Sequence, residues 1–288
     1  MCAASLGWVR IDLHTHTHHS DGTDSPAELM ANAAAAGLDV IGLTDHDTVA
    51  GWQEAAAHVP ASGVALVPGA ELSCTASGIS VHLLSFLHDP KDPDLRREST
   101  RARESRDGRA REIVRRVSAD YAITWADVQA QAGPDATIGR PHIADALVAK
   151  GHVPDRSAAF GHILAAGGPY YVSYYAPDVI KAVRIVRAAG GVPILAHPRA
   201  RARGRVIGDA VIAAMADAGL AGLEVDHRDH TDADREHLRA LAADLGLLIT
   251  GASDYHGTGK HNRLGEHTTS PETLEAIEAQ GRGRIIRP

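Results

Sequence analysis

Ten residues near the start of the chain, DLHTHTHHSD (Asp12–Asp21), hold four histidines and two aspartates. Imidazole and carboxylate are the side chains that ligate divalent metals and carry protons near neutral pH. A single H-x-H pair is weak, because alternate residues of any strand share a face. Repetition is what gives it weight. His14 and His16 follow IDL, His46 follows IGLTD, Glu71 follows VPGA, His82 follows ISV, His197 follows ILA, and Asp254 with His256 follows ITGAS. Each preceding run is short, apolar and β-branched, and reads as a buried strand. Eighteen histidines against two phenylalanines mark the excess of this one residue type.

Imidazole nitrogens mixed with carboxylate oxygens, without thiolates, suit Mn²⁺, Zn²⁺ or Fe²⁺, and so many ligands imply more than one ion. Asp45 and Asp47 flank His46 and are placed to orient imidazoles, with helix capping the alternative for Asp47. Cys74, in AELSCTAS, reads as a packed thiol. Two cysteines are too few for a disulfide framework.

Positioning these groups falls to alternating elements. VRIDLH, DVIGLTDH, VALVPGAEL, ISVHLLSF, VPILAHP, AGLEVDH and LLITGASDYH read as strands. SPAELMANAAAAGL is a helix capped by Ser25, with Pro26 at its first position, Glu28 closing a capping box and Gly37 as its stop. TDADREHLRALAADLG starts at Thr231 and ends at Gly246. Repeated strand–helix units argue for a parallel α/β sheet, and about seven of them for a barrel, with functional groups at the C-terminal strand ends. From about Asp89 to Pro177 the alternation stops. LRRESTRARESRDGRAREIVRRV pairs Asp107 with Arg111 and Glu112 with Arg116 at i,i+4 and reads as a solvated, salt-laced helix rather than a nucleic-acid patch. The segment 89–177 is expected to be a helical insertion over a barrel formed by 1–88 and 178–288.

At 288 residues, 44% apolar and 23% charged, the composition is that of a soluble globular protein. A net charge of −7 implies no general attraction to nucleic acid or anionic lipid. No apolar run spans a bilayer, and the first residues do not read as a signal peptide. A cytoplasmic location, with neither membrane nor obligate protein partner, is expected.

These motifs, DLHTHTHHSDG, GLTDHDT, GAELS followed by SVHLL, LAHP and GASDYHG, resemble those of the PHP family, named for polymerase and histidinol phosphatase. Among its members the chain is most similar to free-standing phosphoesterases such as 3′,5′-nucleotide bisphosphate phosphatases, which carry an R-P-H element like Arg140–Pro141–His142. The resemblance implies a distorted (β/α)7 TIM-like barrel with a helical insertion and a trinuclear site. One ion would take His14, His16, Glu71 and Asp254. A second would share Glu71 and add His82 and His197, and a third would take Asp21, His46 and His256. His18 and His19 are read as exposed or as neighbours of the ligands rather than ligands themselves.

Three divalent ions, most naturally Mn²⁺, outweigh three carboxylates, so the pocket would attract a phosphate that the acidic protein as a whole would not. The implied reaction is attack on phosphorus by a metal-bridging hydroxide on the Glu71-linked pair. Arg140 and Arg199 are the arginine candidates for gripping phosphate, and Lys260 a third cation. Either His142 or a metal-bound water would protonate the leaving oxygen. Tyr171, with Tyr170, either stacks on a base or packs the insertion. The expected substrate is anionic: a nucleotide bisphosphate leaving an AMP-like product, or the 5′ end of a short RNA. A small phosphomonoester such as histidinol phosphate is the alternative, followed by amide hydrolysis or a non-catalytic role beside a polymerase.

Overall fold

The computed structural model describes residues 9–133 and 136–288. The expectations drawn for Cys2 and the first residues lie outside that range. Strands β1 (Ile11–Thr15), β2 (Val40–Leu43), β3 (Ala65–Ala76), β4 (Ile79–Phe86), β5 (Val192–Leu195), β6 (Gly222–Asp226) and β7 (Leu248–Gly251) form one seven-stranded sheet in sequence order. Helices α1 (Pro26–Ala35) and α2 (Trp52–Ser62) follow β1 and β2. Then α3 (Pro93–Val117), α4 (Trp125–Gln129), α5 (Arg140–Ala149), α6 (Arg156–Gly161) and α7 (Val179–Ala188) lie between β4 and β5. The last helices, α8 (Asp209–Asp217), α9 (Asp232–Leu245) and α10 (Pro271–Gln280), follow β5, β6 and β7.

The sheet curls into a nearly closed, TIM-like barrel. No ladder joins β7 to β1, and backbone and one carboxylate close the seam instead. Thr15 bridges to Tyr255, Thr269 N–H donates to the Ile11 carbonyl at 2.9 Å, and the buried Asp12 carboxylate accepts from the amides of Ser253 (3.0 Å) and Gly265 (2.9 Å).

One expectation needs correcting. The sheet is not all parallel: β3 and β4 form a hairpin, and β4 runs antiparallel to both β3 and β5. Only Ser77 and Gly78 join the two strands, with φ of 49° and 75°. Positive φ at both turn residues is the geometry whose twist suits a two-residue hairpin, and Ser-Gly between two β-branched runs is its sequence signal. The reversal matters functionally. His82 stands near the start of β4, yet the antiparallel direction brings it to the rim that the other strands reach with their C-terminal ends, opposite Ser73 of β3.

Local chemistry sets the helices as expected. Ser25 and Glu28 make the capping box of α1, Thr231 and Asp234 that of α9, and Gly246 ends α9 in the left-handed region at φ 64°. In α7, Val179, Ala182, Val183 and Val186 recur at helical spacing and pack against the sheet. Leu13, Val67, Leu84, Phe86 and Ile194 form one buried cluster that Leu274 and Ile277 of α10 join. Each such side chain contributes about 1.5–3 kcal/mol through burial. Residues 110–164 build a separate apolar cluster, including Ile113, Val117, Ile143 and Leu147, so α3–α6 have a core of their own. Cys74 is packed in the core, where burial pushes its thiol pKa up.

Candidate metal centre

Seven strands deliver their polar residues to one rim, and Glu71 sits at the middle of it. Glu71 Oε1 lies 2.8 Å from His82 Nδ1 and 3.1 Å from His197 Nε2. Its Oε2 lies 3.3, 3.2 and 3.1 Å from His14 Nε2, His16 Nε2 and His46 Nδ1. Asp254 Oδ1 closes the first group, 3.5 Å from His14 and 3.4 Å from His16. Asp21 Oδ1 meets His256 Nε2 at 3.2 Å, with His16 and His46 at 3.8 Å. All nine residues expected as ligands are therefore side by side, and all but the half-buried His82 and His197 are buried.

The grouping differs in part from the expected one. His14, His16, Glu71 and Asp254 converge as a set, and His16 also joins Asp21, His46 and His256. His46 stands between Glu71 and Asp21 and shares a set with Glu71 and His82, while His197 shares one with His14 and Glu224. Glu224, absent from the sequence reading, is fully buried on β6. It holds His14 Nδ1 at 3.0 Å and the His197 amide at 2.8 Å. This fixes the proton of His14 on Nδ1 and turns Nε2 toward the centre, as carboxylates behind metal-bound imidazoles do. The signal was present in AGLEVDH, the one strand to which no ligand was assigned.

The donor set fits divalent ions. Asp21 Oδ1, His46 Nδ1 and His256 Nε2 are buried with no hydrogen-bond partner among the described residues, and His14 and His16 bring their Nε2 atoms to 3.1 Å of one another. Buried polar atoms without partners, in a donor set of this kind, suit divalent cations. Protonation states point the same way. Burial opposes a charge on His14, but Glu71, Glu224 and Asp254 outweigh it and raise its pKa. His16 is pushed up to about 9 by Asp254 and Glu71 against burial. Burial pushes His256 down to about 4 and His197 to about 3. Glu71 and Asp254 stay ionised despite burial because imidazoles and cations surround them. Protons on His14 and His16 are thus the ones metal binding would displace.

The backbone is bent to achieve this. His197 (φ 29°), Asp254 (φ 53°) and Asp47 (φ 54°) all lie in the left-handed region, worth about 1–3 kcal/mol each for a non-glycine residue. Gly22 lets the 17–22 turn fold back, since a Cβ there would fall 2.5 Å from the His16 carbonyl oxygen. Asp45 and Asp47 do not touch imidazoles, contrary to expectation. Asp45 accepts from Thr17 N (2.7 Å) and Ser20 Oγ (2.6 Å), shaping the His16–Asp21 turn. Asp47 caps no helix, and accepts from Ser73 N and Oγ at 2.8 Å each. His18 and His19 are half-buried and outside the cluster.

The cationic candidates divide. Arg199 is not free to meet a phosphate: it is buried, its Nη1 donates to the Ile207 carbonyl at 2.5 Å, and its Nη2 to Asp209. It anchors the loop after β5. Lys260 Nζ donates to Asp254 Oδ2 at 3.0 Å. Arg140 opens α5 and donates to the Leu164 carbonyl at 3.1 Å, with its guanidinium 5.3 Å from the Phe160 ring centre. His142 is buried, and its Nδ1 accepts the Gly139 amide at 3.1 Å, leaving Nε2 as the proton-bearing nitrogen of the neutral ring. Tyr171 is exposed, and the Tyr170 hydroxyl donates to Asp120.

The α3 expectation also needs correcting. Its salt-laced face is present, Asp107–Arg111 at 2.9 Å and Glu112–Arg116 at 2.8 Å. The opposite face turns Arg106 and Arg109 inward. Arg106 pairs with Asp47, the neighbour of His46, at 3.3 Å and donates to Ser73 Oγ. Arg109 lies 4.1 Å over the Tyr174 ring, and no acid pairs with it among the described residues. Burial, with Arg106 and Arg140 nearby, pushes its pKa down to about 10. It stays charged there, a buried cation short of an anion.

The comparisons with known proteins give the family. The PHP domain pattern matches residues 12–149. A 3′,5′-nucleoside bisphosphate phosphatase of Chromobacterium violaceum is 34% identical over 97% of this chain and 99% of its own length. A 5′-3′ exoribonuclease of Haemophilus influenzae is 32% identical over 86% of this chain and 90% of its own. A solved structure from Bifidobacterium adolescentis, described as a metal-dependent phosphoesterase, superimposes with a TM-score of 0.91 at 40% identity, covering 94% of this chain and 96% of that one. With that pattern, those identities and this rim of ligands, the chain belongs to the PHP domain family.

Proposed function

We propose that this protein is a metal-dependent phosphoesterase that hydrolyses a phosphate ester of a nucleotide, either a 3′,5′-bisphosphate or the 5′ end of a short RNA. The observation that carries the reading is the pairing of two features, one on the barrel rim and one on the insertion. A cluster of metal-ligand type occupies the barrel rim, and Arg106, Arg109 and Arg140 gather beside Tyr174 on the insertion. One phosphate over the ligand cluster needs no second group of buried arginines. A substrate carrying another anion and a planar base does. Relatives named as a bisphosphate phosphatase and an exoribonuclease support the same class.

His14, His16, Glu71 and Asp254 would hold one ion, Glu71 with His82 and His197 a second, and Asp21, His46 and His256 a third, with Mn²⁺ the proposed occupant and Zn²⁺ or Fe²⁺ the alternatives. Bound there, divalent ions supply an activated water and neutralise charge that develops on the phosphoryl oxygens. The chain's own residues do the rest. Glu71 joins two of the groups through its two oxygens. Arg109 and Arg140 fix the distant phosphate and so set the scissile bond over the rim. His142 Nε2 gives the proton to the leaving oxygen, and Tyr171 covers the base.

Residues 89–177 act as a cap on the barrel formed by 1–88 and 178–288. Their separate apolar core supports this, as do two clasps to the rim: Arg106 on Asp47, and Arg156 Nη1 on the Asp21 carbonyl at 3.4 Å. Among the described residues no helix is long and apolar enough to cross a membrane.

The test is metal analysis of the purified protein, then phosphate release from a panel with Mn²⁺ added back. The panel holds adenosine 3′,5′-bisphosphate, AMP, a 5′-phosphorylated trinucleotide, histidinol phosphate and an amide. Preference for the doubly charged nucleotide or the oligonucleotide is expected. Equal rates on AMP and the bisphosphate would remove the second-phosphate argument.

A further inference from the structure

The loop between β5 and α8 carries a cation that the reading above does not use. Arg199 fastens the base of this loop, and a short 3₁₀ turn, Arg201–Arg203, returns toward the rim. Arg203 Nε donates to Asp229 Oδ2 at 2.7 Å and its Nη2 to Asp254 Oδ2 at 2.7 Å. Lys260 Nζ reaches the same oxygen at 3.0 Å. Asp254 is thereby divided: Oδ1 faces His14, His16 and His256 at 3.4–3.5 Å, and Oδ2 faces two cations.

One carboxylate oxygen does not need two full positive charges, least of all when the other oxygen is turned toward a metal centre. Arg203 and Lys260 also keep about a third of their side-chain surface open (32% and 31%), although both reach a fully buried acid. Arg203 Nη1 has no partner among the described residues, and an ammonium has further N–H groups to give. Open N–H donors bearing positive charge, fixed beside a cluster of ligands, match the non-bridging oxygens of a phosphoryl group. The two cations stand on the β6–β7 side of the rim, whereas Arg106 binds on the β2–β3 side.

We propose that Arg203, together with Lys260, clamps the phosphoryl group that is attacked, while the insertion's arginines hold the remote one. This deepens the phosphoesterase reading and rests on it.

The experiment uses the full chain loaded with Mn²⁺, comparing wild type with Arg203→Gln, Lys260→Met and the double variant. Metal content per chain, melting temperature, inorganic phosphate binding by calorimetry, and kcat and KM on the preferred ester are measured. Metal content should hold within error at saturating Mn²⁺, while the melting temperature falls because Asp254 loses ion pairs. Phosphate affinity should fall about tenfold for each single variant, and kcat about 100-fold for the double, as loss of charge-assisted hydrogen bonds predicts. Arg203→Lys should recover part of the phosphate affinity. Loss of metal in step with activity would reduce both cations to supports for Asp254 and overturn the proposal, as would unchanged phosphate affinity. A wild type that turns over no ester yet binds phosphate through Arg203 would refute the phosphoesterase reading and leave the clamp standing.

Discussion

The barrel rim and the insertion treat charge in opposite ways. On the rim, acids and imidazoles are packed within 3–4 Å, with Glu71 touching five histidines. On the insertion, guanidiniums gather around tyrosine rings, and among the described residues Arg106 alone of this group has a buried acid as partner. The rim's cations reach only one oxygen of Asp254, and Arg109 on the insertion has no anion beside it among the described residues. A buried charge without compensation loses several kcal/mol of solvation. The difference teaches how the parts would divide the work. On the proposed reading, the rim would hold the ions and the bond that breaks, and the insertion the part of the substrate that stays whole.

The largest effect should come from the rim. Chelation, or Glu71→Gln, should cut phosphate release by at least about 1000-fold, because it removes the activated water and the charge neutralisation together. Circular dichroism should meanwhile show α3–α6 intact, and residual activity above about 1% in chelator would break the division of labour.

On the insertion, Arg109→Ala should lower kcat/KM for a bisphosphate about 100-fold, while a monophosphate loses less than about threefold. Metal content should not change. Equal losses on both substrates would show that Arg109 serves folding rather than recognition.

Glu224→Gln probes a group behind the rim. It keeps the shape but gives up the charge that fixes the His14 proton, so metal affinity should fall by roughly 10–100-fold. A competition titration with a chromogenic chelator reads this directly, and unchanged affinity would mean that packing alone orients His14.

The smallest effect tests where insertion meets barrel. Glu98 on α3 accepts from Lys181 Nζ on α7 (2.7 Å) and the Tyr175 hydroxyl (2.5 Å), which lower its pKa despite burial. A depressed carboxylate stabilises the fold above its unfolded pKa of about 4.5 and loses that contribution as pH falls through the lower folded value. Lys181 is half exposed, so Glu98→Gln should cost only about 1 kcal/mol at pH 7 and progressively less below pH 4. Urea unfolding at both pH values would detect it, and a pH-independent difference would point to packing.

The rim was legible because strand ends do not move relative to their own strands. His14, His16, His46, His197, Asp254 and His256 each follow an apolar run, and a barrel of any detail brings such positions to one end. His82 was found at the right place for an incomplete reason, since its strand runs backward through the Ser77–Gly78 turn. Glu224 was overlooked because the search stopped at groups that could face an ion.

The insertion was harder to read. Leu95, Glu98, Ala102, Arg106, Arg109, Ile113 and Val117 form a single buried stripe of α3, but its centre is charged. Periodicity finds a core face only where that face is apolar. Arg199 was chosen and Arg203 passed over because both sit in RARARGR, where spacing cannot say which guanidinium Asp209 will claim.

From the sequence alone came the α/β alternation, the capped helices, the break at the insertion and eight residues of the rim, Asp21 having been added only through the family resemblance. These follow from local propensity, capping and the period of apolar residues, all short-range properties. Which carboxylate bridges, which arginines turn inward and which cation meets Asp254 depended on the folded chain. Those choices rest on contacts between residues as far apart as Arg203 and Asp254, and a long flexible side chain takes its partner from whatever surrounds it once the fold has formed.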